Sequence, residues 1–297
     1  MRLEGNIVAL VTPFRNGAVD AEALRAHVDR VLAGGVHGIS PCGTTGESPT
    51  LTAHEHQQVI EAVVERVAGR VPVIAGAGSN CTTEAVRQAR AAASAGADAI
   101  LSVTPYYNRP QPTGLLRHFR SIADATSLPV VLYDVPGRCA LELPIETIAA
   151  LAEHPLIVAI KDATGTIGNV TRIRSCTNLA VLSGDDAVTL PILALGGSGV
   201  ISVLSNVLAP RVTQLVDAVR DGDLTTAREQ HDQLYPLVMA LFADTNPVPV
   251  KLAMAAAGWI DPAVRPPLGS TTDDVRRQLD RTLAPFQEEL LGGQPAR

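Results

Sequence analysis

Lysine is almost missing from this 297-residue chain: of its 24 basic residues only Lys161 and Lys251 are lysine, and the other 22 are arginine. Aromatic residues are scarce, at 3%. Positive charge does not prevail either, since 30 acidic residues leave a net charge of −6. A nucleic-acid surface needs a basic stripe and usually stacking rings, so that class of function is excluded. No stretch of about 18 uninterrupted apolar residues occurs, which excludes a helix that spans a membrane. Cysteine is limited to Cys42, Cys81, Cys139 and Cys176, widely scattered and without CxxC spacing. That distribution suits reduced thiols, not a disulfide framework or a zinc site. The first residues show no basic segment leading into an apolar one, so export is not indicated and a cytoplasmic location is the expectation.

What is present is apolar, at 46%, and arranged in alternation. Short β-rich runs at 7–11, 38–40, 71–75, 99–103, 130–133, 157–161, 180–183 and 199–203 recur at roughly the length of one βα unit. Amphipathic helical patterns lie between them, at 21–33, 53–67, 83–95, 114–125 and 145–153, with another near 211–220. Eight near-continuous apolar strands predict a parallel sheet buried on both faces. No GxGxxG follows the first strand, so the architecture expected is an α/β fold of the (β/α)8 TIM-barrel type. "DGD" at 221–223 breaks the pattern, and 224–242, 250–257 and 272–291 read as helices joined by Pro-rich turns. The expected organisation is a catalytic barrel over 1–223 and a C-terminal helical appendage over 224–297, packed on it.

In such barrels the chemistry sits at the C-terminal ends of the strands. Those ends read "PCGTTGES", "TPYYNRP", "YDVPGR", "KDATG" and "SGDD". Lys161 closes the sixth strand, and strict alternation puts it on one face with Ala159 and Ile157. A lysine is a nucleophile only when neutral, which at pH 7 holds for about one free side chain in 2,500. An apolar setting disfavours the charged form of such a group, and a neutral amine condenses with a ketone to an imine. A guanidinium cannot do this, which gives a reason for a lysine in an arginine-rich chain. The alternative reading is a lysine paired with a carboxylate such as Asp186 or Glu47.

Tyr133, at the end of the fifth strand, is either a proton shuttle or a core tyrosine with a satisfied hydroxyl. "GTTGES" offers backbone amides for a carboxylate and a hydroxyl, on Thr44, to relay a proton to Tyr133. His54 and His56 resemble a metal pair, but i and i+2 project to different faces of a helix. The glycines of "LGGSGVIS" precede the eighth strand and suit the lower turn of a barrel rather than a phosphate cradle; Asp185 and Asp186 suit a cation or, more commonly for adjacent strand-end carboxylates, loop capping.

Taken together, "GTTGES", "PYYNRP", "YDVPGR", "IKDATG", "LSGDD", "GGSGVIS" and "NPVPVK" occur in order over nearly the whole chain. This set resembles the 4-hydroxy-tetrahydrodipicolinate synthase (dihydrodipicolinate synthase) family, within the pyruvate-dependent aldolase and N-acetylneuraminate lyase superfamily. The resemblance implies that pyruvate forms a Schiff base with Lys161, with no metal and no other cofactor, in lysine and diaminopimelate biosynthesis. It implies that Thr44 and Thr45 hold the pyruvate carboxylate and that the Ile201 backbone lines the pocket. Tyr133 is then the proton relay, linked through Thr44 to Tyr107 from across a tight dimer interface, and Arg138 grips L-aspartate 4-semialdehyde.

A homotetramer of two tight dimers is implied as well. So is L-lysine as an inhibitor, at positions matching Ser48, His56, Asn80, Glu84 and Tyr106. Two departures stand out: Asp134 where the family often has Asn, and Ala53 where inhibited members often carry His. Sister lyases of sugar keto acids share the lysine and tyrosine but generally lack the arginine of "PGR". An inert ligand-binding barrel, the remaining alternative, is expected to have lost one of Lys161, Tyr133 and Thr44.

Overall fold

The alternating runs form eight strands: β1 (Gly5–Ala9), β2 (Gly38–Ser40), β3 (Ile74–Gly76), β4 (Ala99–Val103), β5 (Val130–Asp134), β6 (Ile157–Asp162), β7 (Ala180–Ser183) and β8 (Gly199–Ser202). The computed structural model describes residues 3–292; 1–2 and 293–297, the outer ends of the two expected regions, lie outside the described residues. All eight strands pair in parallel, in the order β2-β1-β8-β7-β6-β5-β4-β3, and a parallel bridge from Ile39 to Val73 joins the two edges. The sheet is therefore a closed barrel.

Alternation sorts its side chains into two layers. Ile7, Ala9, Ile74, Leu101, Val131, Tyr133, Ala159, Leu182 and Ile201 fill the barrel. Val8, Ile39, Ala75, Ile100, Leu132, Ile160 and Val181 face outward and pack under the helices. Each valine, leucine or isoleucine among them contributes about 1.5–3 kcal/mol by leaving water, so the register is strongly fixed.

One detail of the alternation differs from expectation. Val130 pairs with Ile157 but Val131 pairs with Ala159, so Val158 is an extra residue on β6. This bulge turns Ile157 to the outer layer while Ala159 stays inside with Lys161. β1 also starts and stops two residues earlier than its apolar run. The Val11 N–H is taken by Asn206 Oδ1 at 3.1 Å, which ends the ladder there. Among the elements outside the expected runs are a hairpin of Phe14–Arg15 with Ala18–Val19, a helical turn Pro136–Cys139 directly after β5, and the helices Gly168–Cys176 and Thr189–Ala194.

Beyond β8 the helix Ser205–Arg220 ends at "DGD", where Gly222 adopts φ 82° and Asp223 accepts a hydrogen bond from the Thr226 N–H at 3.0 Å. Asp223 thus caps the next helix, Leu224–Leu241. Val248–Ala256 follows. The single helix expected over 272–291 is instead Asp273–Leu283, a tight turn Ala284–Phe286 and Gln287–Gly292. Pro285 has no N–H to continue the ladder. One apolar cluster runs from Val200 and Val216 to Leu237, Met254 and Leu279, seating these helices on the β8 side of the barrel.

Candidate active site

Lys161 and Tyr133 are register partners on β6 and β5. Both point into the barrel at its C-terminal mouth and are 5% and 6% exposed. The Lys161 ammonium nitrogen lies 4.3 Å from the centroid of the Tyr133 ring. Thr104 fixes the Tyr133 carbonyl from β4's end, through its N–H at 2.9 Å and its hydroxyl at 3.0 Å. Room for the lysine stem depends on Gly184. A Cβ there would stand 3.1 Å from Lys161 Cε and 2.7 Å from Ala163 Cβ.

Neither carboxylate considered as a partner for Lys161 is available to it. Glu47 bonds Lys251, and Asp186 accepts from Ser202 Oγ (2.6 Å), Val203 N (2.9 Å) and Leu204 N (3.2 Å). Asp185 caps its own turn by accepting from Ala187 N at 2.9 Å. Both aspartates shape loops.

The "GTTGES" loop follows β2 and is folded tightly against the barrel rim. Cys42 and Glu47 take left-handed φ of 56° and 54°. Gly76 lets the loop approach β3, since a Cβ there would be 2.0 Å from the Cys42 carbonyl oxygen. Thr12 Oγ donates to the Gly46 carbonyl at 2.8 Å. Thr45 is buried, and its hydroxyl oxygen accepts a hydrogen bond from Asn246 Nδ2 at 3.0 Å. A hydroxyl that accepts in this way keeps its own hydrogen for another acceptor, such as a carboxylate. The Asn246 carbonyl in turn accepts from Arg138 Nη2 at 3.2 Å. Arg138 sits in the turn that Pro136 opens and Ala140, at φ 54°, closes. Asn246 therefore ties together two of the expected substrate-holding residues.

A cavity of about 310 Å³ opens over this rim. Thr44, Gly78, Tyr106, Arg138, Asn246 and Pro267 are among its lining residues, so the C-terminal region supplies part of its wall. Lys161, Tyr133, Thr45 and Ile201 are not in that lining. Tyr133 and Ile201 lie in the barrel core, in the cluster that holds Val135 and Cys139, and those two residues reach the cavity. No hydrogen bond links Thr44 to Tyr133 among the described residues; the Thr44 carbonyl accepts from Glu47 N at 3.1 Å.

Tyr107 is not brought to the site within one chain. It is 90% exposed and held at φ 72°, an outlier for a bulky residue. Of the five positions matched to an inhibitor pocket, Ser48 and Tyr106 line the main cavity. Asn80 lines a separate groove with Asn108 and His118. Glu84 is engaged by Arg87 (2.6 and 2.8 Å) and Gln88 (3.0 Å), and buried His56 senses both the Glu84 and the Arg87 charges. His54 is exposed while His56 is buried, on different sides of the helix Ala53–Val67. Among the described residues, no group of three or more His, Cys, Asp or Glu is placed to hold a metal.

Just behind Lys161 and Tyr133, on the outer face, Asp134 and Asp162 are also register partners. Burial pushes the Asp134 carboxyl up to about 7, with Asp162 and Glu142 adding to the shift and the Leu143 N–H opposing it. Burial also raises Asp162, against hydrogen bonds from Thr164. Burial lifts the Cys139 thiol to about 11, which keeps it protonated.

Fold and comparisons together define a (β/α)8 lyase of the aldolase type. The sequence matches the dihydrodipicolinate synthetase family over residues 2–285, and the chain belongs to that family. It is 51% identical over 278 residues to the 4-hydroxy-tetrahydrodipicolinate synthase of Pelobacter propionicus, covering 93% of this chain and 96% of that one. The solved structure of the synthase from the methanotroph Methylacidiphilum fumariolicum superposes with a TM-score of 0.95 at 40% identity, covering 98% of each chain. A dihydrodipicolinate synthase from Cyanidioschyzon merolae, solved with lysine bound, gives 0.92 at 40% identity, covering 98% of this chain and 99% of that one. No helix among the described residues is long and apolar enough to cross a membrane.

Proposed function

We propose that the chain condenses pyruvate with L-aspartate 4-semialdehyde, the activity of a 4-hydroxy-tetrahydrodipicolinate synthase. The observation that carries this reading is Lys161 at the barrel mouth, beside the Tyr133 ring and without a carboxylate partner among the described residues. The Lys161 amine adds to C2 of pyruvate, water leaves, and the resulting imine withdraws electrons so that a methyl proton departs and an enamine forms. The enamine carbon attacks the aldehyde carbon, whose oxygen takes up a proton. The amino group of the semialdehyde then displaces Lys161 at C2, which closes the ring and restores the lysine.

In this scheme Tyr133 moves the protons and Thr44 passes them on. Thr44 and Thr45 hold the pyruvate carboxylate, the Ile201 backbone lines the pocket, and Arg138 grips the carboxylate of the semialdehyde. The guanidinium's fork suits a carboxylate better than an ammonium would. Arg138→Ala is expected to raise the semialdehyde requirement about a hundredfold while leaving imine formation with pyruvate within about threefold. Equal loss in both half-reactions makes the arginine structural. Turnover of N-acetylneuraminate or a 2-keto-3-deoxy acid at rates above the condensation contradicts the substrate assignment.

The catalytic barrel is assigned to 1–223 and the helical region that walls its cavity to 224–297. Tyr107, exposed and strained, is assigned to a neighbouring subunit's relay, in a cytoplasmic homotetramer built as a dimer of dimers. Strain at such a position is commonly functional. A monomer with full activity at assay concentration contradicts that role. L-Lysine is the proposed inhibitor at Ser48, His56, Asn80, Glu84 and Tyr106. Ser48 and Tyr106 line the same cavity as Arg138, and Tyr106 adjoins Tyr107, so an occupant there is expected to disturb the relay. Millimolar L-lysine is expected to inhibit partially, and an absence of calorimetric binding contradicts this.

A further inference from the structure

Lys251, the second lysine of the chain, is fully buried in the helix Val248–Ala256. Its ammonium bonds Glu47 Oε1, donates to the Ala263 carbonyl at 2.9 Å and lies 4.2 Å above the centroid of the Phe14 ring. The other Glu47 oxygen accepts from the Arg265 backbone N–H at 2.9 Å. The Arg265 guanidinium lies 4.4 Å from the same Phe14 centroid, donates to the Thr50 carbonyl at 2.9 Å and pairs with Glu55. With the Asn246 bond to Thr45, the C-terminal region holds the loop at Thr45, Glu47 and Thr50.

Stability alone does not explain a sealed ion pair. Taking two charges out of water costs several kcal/mol each, and apolar replacements of similar volume are often neutral or stabilising. Burial lowers the Lys251 pKa while the Glu47 carboxylate acts to keep the proton on. What the pair provides is direction. The two Glu47 oxygens accept from two separate elements, which fixes the carboxylate's rotation as well as its place. Glu47 also sits in the left-handed region, at φ 54°, which is unfavourable for a non-glycine residue and persists only where the surroundings determine it. Its N–H closes the turn onto the Thr44 carbonyl.

We propose that the Lys251–Glu47 pair is a positioning device, through which the C-terminal region aligns Thr44 and Thr45 toward the carboxylate of the keto acid. The proposal rests on the reading of those threonines and Lys161 given above. Lys251 and Glu47 are positioning residues, so their loss is expected to act on pyruvate affinity and not on the chemistry at Lys161.

The test is borohydride trapping of pyruvate on the full chain, followed by intact mass over a range of pyruvate concentrations. Glu47→Gln and the double change Glu47→Gln/Lys251→Met are compared with Leu279→Ala, a core truncation remote from the loop contacts named above. Half-saturating pyruvate is expected to rise about tenfold or more in both loop variants, with trapping still complete at saturation, the loss of one charge-assisted positioning contact. The double variant, which leaves no unpaired buried charge, is expected to regain melting temperature over Lys251→Met without regaining affinity. Leu279→Ala is expected to lower the melting temperature and leave half-saturation within about twofold. A folded loop variant with native half-saturation, or an equal shift in Leu279→Ala, overturns the proposal alone. Absence of trapping at Lys161 in the unmodified chain overturns the reading of the site, and the proposal with it.

Discussion

Lys161 and Lys251 are both buried, at 5% and 0% exposure, yet their surroundings differ in one respect. The Lys251 ammonium donates to Glu47 and to the Ala263 carbonyl, inside a wall of Phe14 and Arg265. Lys161 faces a tyrosine ring and a backing glycine, and among the described residues no carboxylate is paired with it. Among the described residues, the same side chain is thus held in an ion pair in one place and left beside a ring without a carboxylate in the other. Burial does not make the difference; the partner does. On the proposed reading arginine replaces neither: the first site calls for an amine that adds to a ketone, and the second holds a compact ammonium against one carboxylate oxygen and one carbonyl.

Substitutions at the two lysines break the comparison most directly. Lys161→Arg keeps charge and bulk but cannot form an imine, so turnover is expected to fall about 10⁴-fold or more, the scale on which enzymes respond to loss of a covalent nucleophile. Retention of a tenth of the activity removes the Schiff base from the account. At the second lysine the expected loss is in stability. Lys251→Met leaves Glu47 buried without its cation, at a cost of about 3–5 kcal/mol. Lys161→Met removes no ion pair and is expected to change stability by about 1 kcal/mol or less. Denaturant titrations that give equal losses for the two changes contradict the contrast between them.

A further expectation concerns the carboxyl behind the site. An unfolded aspartate titrates near 4, and in the folded chain Asp134 titrates at about 7. Below about pH 4 both states carry the proton and the contribution is complete. As pH rises, the unfolded chain loses its proton first, so stability declines until the folded carboxyl has also ionised, past about 7. Asp134→Asn abolishes this dependence, and its melting temperature is expected to gain on that of the unmodified chain between about pH 4 and 8. A constant difference across that range means that Asp134 does not titrate there.

Much of this was legible in the residues. The barrel followed from eight apolar runs at regular spacing, and Lys161 stood out through its rarity and its place at a strand end. What escaped has physical reasons. The bulge at Val158 depends on pairing with β5, and nothing in "LIVAIK" marks it. Asn246 and Lys251 meet Thr45 and Glu47 across 201 and 204 residues, and only the closed fold brings such partners together. "SGDD" drew attention to its aspartates, which cap loops, while Gly184 is the residue that leaves the lysine its room. The asparagine and lysine of "NPVPVK" grip the threonine loop, a contact that their spacing along the chain does not encode.

The most direct measurement of the central claim is reduction with borohydride in the presence of pyruvate, followed by peptide mapping of both lysines. The account predicts one reduced pyruvyl addition per chain, on the peptide that carries Lys161, and none on Lys251. Addition at Lys251, or no addition at saturating pyruvate, would contradict it.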